Sequence, residues 1–161
     1  MPKFDNFDRK ILDKLQTNAR ITNVELADSI GLSPAPCLRR VKELESDRVI
    51  EGYVAILNRR QIGLRCHAYI AVELESAAMS SLSVFENEIK RFPEIVEAHV
   101  LTGHWDYMLH VIVPDLDDFE RFLRNHLSQI SGVSRLHSSI ALREVVRTTK
   151  LPLDYLGQQK D

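Results

Sequence analysis

The sequence predicts an α+β chain, with an N-terminal helix-turn-helix domain over residues 1–60 and a C-terminal ferredoxin-like βαββαβ domain over residues 61–161. Three observations lead to that class. Apolar residues recur at helical spacing as far as Glu45, and two of the helices so marked meet at the tight corner Gly31-Leu32-Ser33. From Cys66 onward, period-two alternation takes turns with helical runs in the order strand, helix, strand, strand, helix, strand.

The first helix spans about Asn6 to Gln16, because Phe4, Phe7, Ile11, Leu12 and Leu15 recur at helical spacing. Asp5 stands where a side-chain oxygen caps free N–H groups, and Asp8, three residues on, complements the helix dipole. A second helix begins at Thr22, which forms a T-x-x-E capping box with Glu25, carries Val24, Leu26, Ala27 and Ile30, and stops at Gly31. The third follows at once. Ser33 is its N-cap and Pro34 its first residue, where a missing N–H costs nothing. With Pro36 at the third position, the Ser33 hydroxyl is left with the Ala35 N–H as its partner. Ala27 is small enough for the two helices to cross closely. On the wheel of residues 34–46, Pro34, Cys37, Leu38, Val41 and Leu44 fall on one side. Ala35, Pro36, Arg39 and Glu43 fall opposite, flanked by Arg40 and Lys42. Such a pair behind a packing helix is the helix-turn-helix pattern, whose second helix enters the DNA major groove. A plain three-helix bundle with solvated charges is the alternative on the same residues.

After Glu45 the chain extends from Val49 to Leu57 and passes through the polar linker Asn58–Gly63. Ala68, Ile70, Val72 and Leu74 then alternate with His67, Tyr69, Glu73 and Glu75 as a strand with two unlike faces. Leu82, Phe85, Ile89 and Phe92 mark a helix ended by Pro93. Strands Ile95–Thr102 and Trp105–Val113 flank a turn at Gly103. A helix capped by Asp115 carries Leu116, Phe119, Leu123, Leu127 and Ile130 to Gly132, and a last strand runs from Val133 to Val146. The sheet face away from the helices keeps Tyr69, Val100 or Leu101, and Val111 or Ile112, so it needs a cover that a second copy of the chain supplies.

With 161 residues, 44% apolar and 27% charged, the chain buries a core and is too apolar for disorder. No segment approaches the roughly 20 apolar residues that span a bilayer, and the N-terminus lacks a secretory signal's apolar run. A cytoplasmic protein without membrane contact is expected. Cys37 and Cys66 fit neither a disulfide framework nor a CxxC site. Net charge is −2, yet residues 1–60 hold 11 Lys and Arg against 9 Asp and Glu, and residues 61–161 hold 10 against 14. Any polyanion therefore belongs to the N-terminal part.

Motifs along nearly the whole chain resemble the Lrp/AsnC (feast/famine) family of bacterial and archaeal transcription regulators. Asp8–Leu12, Ala19–Asn23, Glu25–Ala27, Gly31–Cys37 and Arg40–Glu45 are similar to its DNA-binding half. Thr102–Tyr107, Gly132-Val133, Ser138-Ser139 and Thr148–Leu153 are similar to its ligand-sensing half. The resemblance implies a homodimer assembling to a tetramer or octamer and an amino acid or related metabolite as effector; no cofactor is expected. One position departs: the family usually has Gly before its Val-Ile at the end of the recognition helix, where Arg48 stands here. A side chain in a left-handed C-cap costs about 1 kcal/mol, so a different helix exit is expected.

For DNA, Ser33, Ala35 and Pro36 sit at the entering tip, where a hydroxyl, a methyl and a ring meet base edges or thymine methyls. Arg39 suits a guanine edge, and Arg40, Lys42 and Arg20 suit phosphates. Arg40 has an alternative, an ion pair with Glu43 or Glu45 on its own helix. For the effector, Gly103 lets a backbone N–H approach a carboxylate and Asp106 suits an α-ammonium group. Gly-x-x-Asp is equally ordinary hairpin chemistry. The resemblance favours a ligand loop, with His104 and Trp105 shaping selectivity. Two rivals are a metal-responsive regulator, since His99, His104 and His110 lie near one hairpin, and a ferredoxin-like small-molecule enzyme. The histidine spacings match no ligand signature, and no nucleophile-base order or phosphate loop stands out.

Overall fold

Asp5 and Asp8 close the start of the first helix, α1 (Asn6–Thr17), as a reciprocal pair in the computed structural model, which describes residues 4–76 and 78–156. The outer ends of the two predicted domains, residues 1–3 and 157–161, lie outside the described residues. Asp5 Oδ1 accepts from the N–H groups of Phe7 and Asp8 at 2.8 and 2.9 Å, and Asp8 Oδ2 accepts from the Asp5 N–H at 3.0 Å. The second helix, α2 (Asn23–Ile30), starts with the Thr22–Glu25 box and ends at Gly31, whose φ of 76° is left-handed. The third, α3 (Pro34–Ser46), differs from expectation at its start. The Ser33 side chain makes no cap bond: Pro36 removes one of the two N–H groups such a hydroxyl serves, and the bond to Ala35 does not form. Asn23 steadies this end instead, its Nδ2 donating to Pro34 O at 2.8 Å.

The far end of α3 corrects a second expectation. Arg48 takes φ 55°, so the exit keeps the left-handed form that a glycine would adopt. The Arg48 N–H donates to Glu45 O at 3.1 Å and the Val49 N–H to Leu44 O at 2.9 Å. These are the two bonds of a Schellman cap. Burying Val49 beside Leu44 in the head core supports the strained residue between them.

That core gathers Ile11, Leu26, Ala27, Ile30, Cys37 and Leu44. Leu153 and Leu156 pack against it as well. The head thus runs to Ala55 and resumes at Val146, the other unit being Ile56–Val145, whereas the sequence pattern assigned residues 61–161 whole to the sheet domain. The returning strap is held by side chains of α1. Gln16 accepts from the Leu151 N–H at 2.6 Å and donates to its carbonyl at 3.3 Å, Lys150 meets Asp13 at 2.6 Å, and Arg9 pairs with Asp154.

In the other unit, β1 (Cys66–Leu74), α4 (Met79–Ile89), β2 (Ile95–Val100), β3 (Tyr107–Val113), α5 (Leu116–Asn125) and β4 (Val133–Ile140) follow the expected βαββαβ order. The sheet is antiparallel in the order β2-β3-β1-β4. Ile70, Val72, Leu109 and Val111 bury one face beneath Phe85, Phe119 and Phe122. Val111 therefore points to the helices and Ile112 to the other face. Four elements are shorter than expected. β2 stops at Val100 and β3 starts at Tyr107, so the connecting loop is longer. α5 breaks at His126, after which a 3-10 turn at Leu127–Gln129 keeps Leu127 and Ile130 buried. β4 ends at Ile140 opposite Ala68, with one more bond from the Ala141 N–H to His67 O at 3.0 Å. Among the described residues, the segment 49–57 joins no ladder.

Candidate functional site

The corner at Gly31 turns α3 so that Ser33, Pro34, Ala35, Arg39, Lys42 and Glu43 stand exposed, while Cys37 and Leu44 fix its inner face. Pro36, expected outward, is half-buried, and Leu38, expected inward, is 43% exposed. The inner stripe of Cys37, Val41 and Leu44 is narrow, and Leu38 lies about 100° round the helix from Cys37. Pro34, also expected inward, precedes that stripe and stays in solvent.

The cations divide sharply. Arg39 pairs with Glu43 on the exposed surface at 2.7 Å. Arg40 turns toward α1: its guanidinium meets Asp5 at 2.8 Å and Asp8 at 2.7 Å and lies 5.5 Å from the Phe7 ring centre. The alternative of a pair with Glu43 or Glu45 thus falls to Arg39, and the phosphate role expected of Arg40 competes with two carboxylates. The Asp8 N–H first, and Arg40 with it, hold the Asp5 carboxyl below its ordinary value against the opposing effect of burial. Asp8 in turn raises the Arg40 guanidinium further. Arg20 and Lys42 are exposed.

The loop from Leu101 to Asp106 is built around backbone pairing. The Leu101 N–H donates to Asp106 O at 2.8 Å and the Asp106 N–H to Val72 O at 2.9 Å. Gly103 has φ 124°, with open space where a Cβ would stand, so conformation rather than crowding demands glycine. Asp106 Oδ2 accepts from the Leu74 N–H at 2.8 Å, just past a bulge in the β1–β4 ladder. One carboxylate oxygen is therefore engaged in holding the loop to β1. The exposed His104 lies edge-on to Trp105 at 4.9 Å, and Trp105 stacks on His137 of β4 at 5.9 Å. His137 escaped the sequence pattern, because only the β1–β4 pairing brings it near the loop.

Of the hairpin histidines, two approach one carboxylate and the third parts from them. His99 and His110 lie 3.7 and 3.8 Å from Glu97, and His104 turns to Trp105. His110 joins another cluster on the sheet face away from the helices, with Tyr69 stacked on it at 4.7 Å and His67 Nδ1 at 3.4 Å from its Nε2. Burial pushes both imidazoles below their ordinary value. Among the described residues, no three His, Cys, Asp or Glu side chains gather as a metal-ligand set. Cys37 and Cys66 are buried, and burial raises both thiols, the opposite of the shift that activates reactive cysteines.

Comparison with known proteins finds a family for each part of the chain. Residues 67–151 match the family described as Lrp/AsnC ligand binding domain, and residues 4–51 match winged helix-turn-helix DNA-binding. The leucine-responsive regulatory protein of Klebsiella pneumoniae is 35% identical over 147 residues, covering 91% of this chain and 90% of that protein. Among solved structures, a transcriptional regulator from Neisseria meningitidis in complex with L-Met superposes with a TM-score of 0.92 at 38% identity, covering 96% of this chain and 99% of that one. E. coli AsnC gives 0.87 at 28% identity, covering 94% and 100%.

Proposed function

Because the chain belongs to the Lrp/AsnC family of DNA-binding transcription regulators, which are not enzymes, we propose that it reads specific DNA sequences through α3 and responds to an amino acid or related small metabolite at the Leu101–Asp106 loop. One observation carries this: a single chain joins a helix-turn-helix with an exposed reading face to a sheet unit matching a ligand-binding domain. Ser33, Ala35 and Pro36 face base edges at the tip, and Arg39 reaches a guanine edge when it leaves Glu43. Arg20 and Lys42 hold phosphates, while Arg40 keeps α3 seated on α1.

At the loop, Gly103 presents backbone donors to the effector carboxylate, His104 and Trp105 shape the space, and the second oxygen of Asp106 receives the α-ammonium group. That the Neisseria regulator was crystallised with L-Met supports this effector class. The half-exposed face around Tyr69 is covered by a second copy, and such dimers assemble into tetramers or octamers.

A thermal-shift screen of the L-amino acids on the full-length protein tests the effector. A ligand at 100 times its Kd adds about 2.7 kcal/mol, a shift of roughly 5–10 °C for this size. Calorimetric titration of Asp106→Ala with the best hit should then show a tenfold to hundredfold loss, the value of about 1.5 to 3 kcal/mol for a charge-assisted bond. Unchanged affinity with a lowered melting temperature would leave Asp106 as a loop residue only.

A further inference from the structure

The reading face of α3 is less polar than its arginines suggest. Leu38 is 43% exposed and shares a groove of about 520 Å³ with Ala35, Arg39, Lys42, Glu43 and Ser46. One exposed leucine is ordinary on any protein. Here Ala35 and Pro34 continue it toward the helix N-terminus, the end that enters the groove in helix-turn-helix proteins. The charges nearest to it largely cancel, because Arg39 and Glu43 pair at 2.7 Å, and Lys42 is the remaining cation on that rim. Hydrogen-bond donors are also scarce at this tip: Pro34 and Pro36 carry no N–H. The face therefore has an apolar centre and a weakly cationic rim.

Among the groups that base pairs present in the major groove, one is apolar, the 5-methyl of thymine. We propose that Leu38, with Ala35 beside it, seats on a thymine methyl in each half-site and makes this chain select thymine there. This rests on the recognition-helix reading above and deepens it, by naming a base and the side chain that discriminates it. The rim fits the occupant: Lys42 suits the phosphates that flank any base edge, and an acidic peptide would leave the apolar centre unmatched.

The test uses full-length protein and the duplex that it enriches from a random-sequence pool. Each thymine of that duplex is replaced singly by deoxyuridine, which removes the methyl and keeps the base pair. The methyl is comparable to one buried CH₂, so one position per half-site should lose about fourfold in affinity. Leu38→Ala should bind the thymine duplex more weakly and show no further loss at that position, and Leu38→Met should keep the discrimination. Circular dichroism confirms that both variants are folded. Methyl sensitivity that is equal in wild type and Leu38→Ala, or absent everywhere, would overturn the assignment while leaving DNA reading by α3 intact. Failure to enrich any sequence would overturn the recognition-helix reading itself, and this assignment with it.

Discussion

Arg40 stands on the helix proposed to face DNA, yet its guanidinium joins the two carboxylates that also cap α1. Each of Asp5 and Asp8 has two tasks, ending free N–H groups and anchoring a helix 32 or more positions along the chain. Arg40→Ala is therefore expected to destabilise the head by about 1.5 to 3 kcal/mol, the range for hydrogen bonds to charged groups. The salt dependence of DNA binding by the folded variant should be unchanged, since a lost phosphate contact would lower the slope by about 1. Urea unfolding and binding titrations at several salt concentrations separate the two effects. Arg48 makes the opposite case. Its left-handed backbone costs a side chain about 1 kcal/mol, so Arg48→Gly should stabilise the head by up to about that amount. A melting curve reads the gain. A fall in DNA affinity with the same substitution would give the Arg48 guanidinium a phosphate.

At the scale of elements, β1 and β3 place His67, Tyr69 and His110 on one face, with Glu97 beside His110 and with Arg59, Arg60 and Glu144 in range of the imidazoles. Burial lowers both imidazoles from the ordinary 6.5, aided at His67 by Arg59 and opposed at His110 by Glu97. Below pH 6.5 the unfolded chain takes up protons that the folded one resists, so this contribution to stability is complete above that pH and is lost on acidification through the depressed values. The melting temperature should begin to fall below about pH 6.5. His67→Asn together with His110→Gln should remove that part of the decline, which then starts only with the carboxylates. A curve with the same onset in the double variant would assign the acid sensitivity elsewhere. The order of these elements was legible in the sequence because helical and strand periods are local, and so were the caps at Asp5, Thr22 and Asp115. Extent was less legible. Leu142, Val145 and Val146 continue the apolar pattern of β4, but a strand needs a partner of equal length, and in the β1–β4 register Val145 and Val146 lie beyond the start of β1 at Cys66. The same holds for the site. The loop at Gly103 could be found from its residues, whereas Arg40's carboxylates, the outward turn of Leu38 and the stacking of His137 depend on packing between distant segments.

Over the whole molecule, the strap that returns to the head decides how the chain divides. Ending the protein after Val145 would strip Leu153 and Leu156 from the head core, together with the bonds of Leu151, Lys150 and Asp154 to α1. Two half-buried leucines at half the full-burial value give about 2 kcal/mol, and the exposed ion pairs add little. The truncated protein should show an earlier head transition in urea and an unchanged sheet transition, and a fragment of Ile56–Val145 should fold alone. A single unchanged transition would show that the strap is no part of the head. The same connectivity acts during synthesis. A ribosome delivers α1 to α3 early, but the residues that complete their core emerge only after the whole sheet unit, about 5 to 20 seconds later at ordinary rates of about 5 to 20 residues per second. The helix-turn-helix head thus reaches full stability only after the sheet unit has emerged, and a polypeptide stalled midway carries an unfinished head rather than a repressor or activator without its sensor.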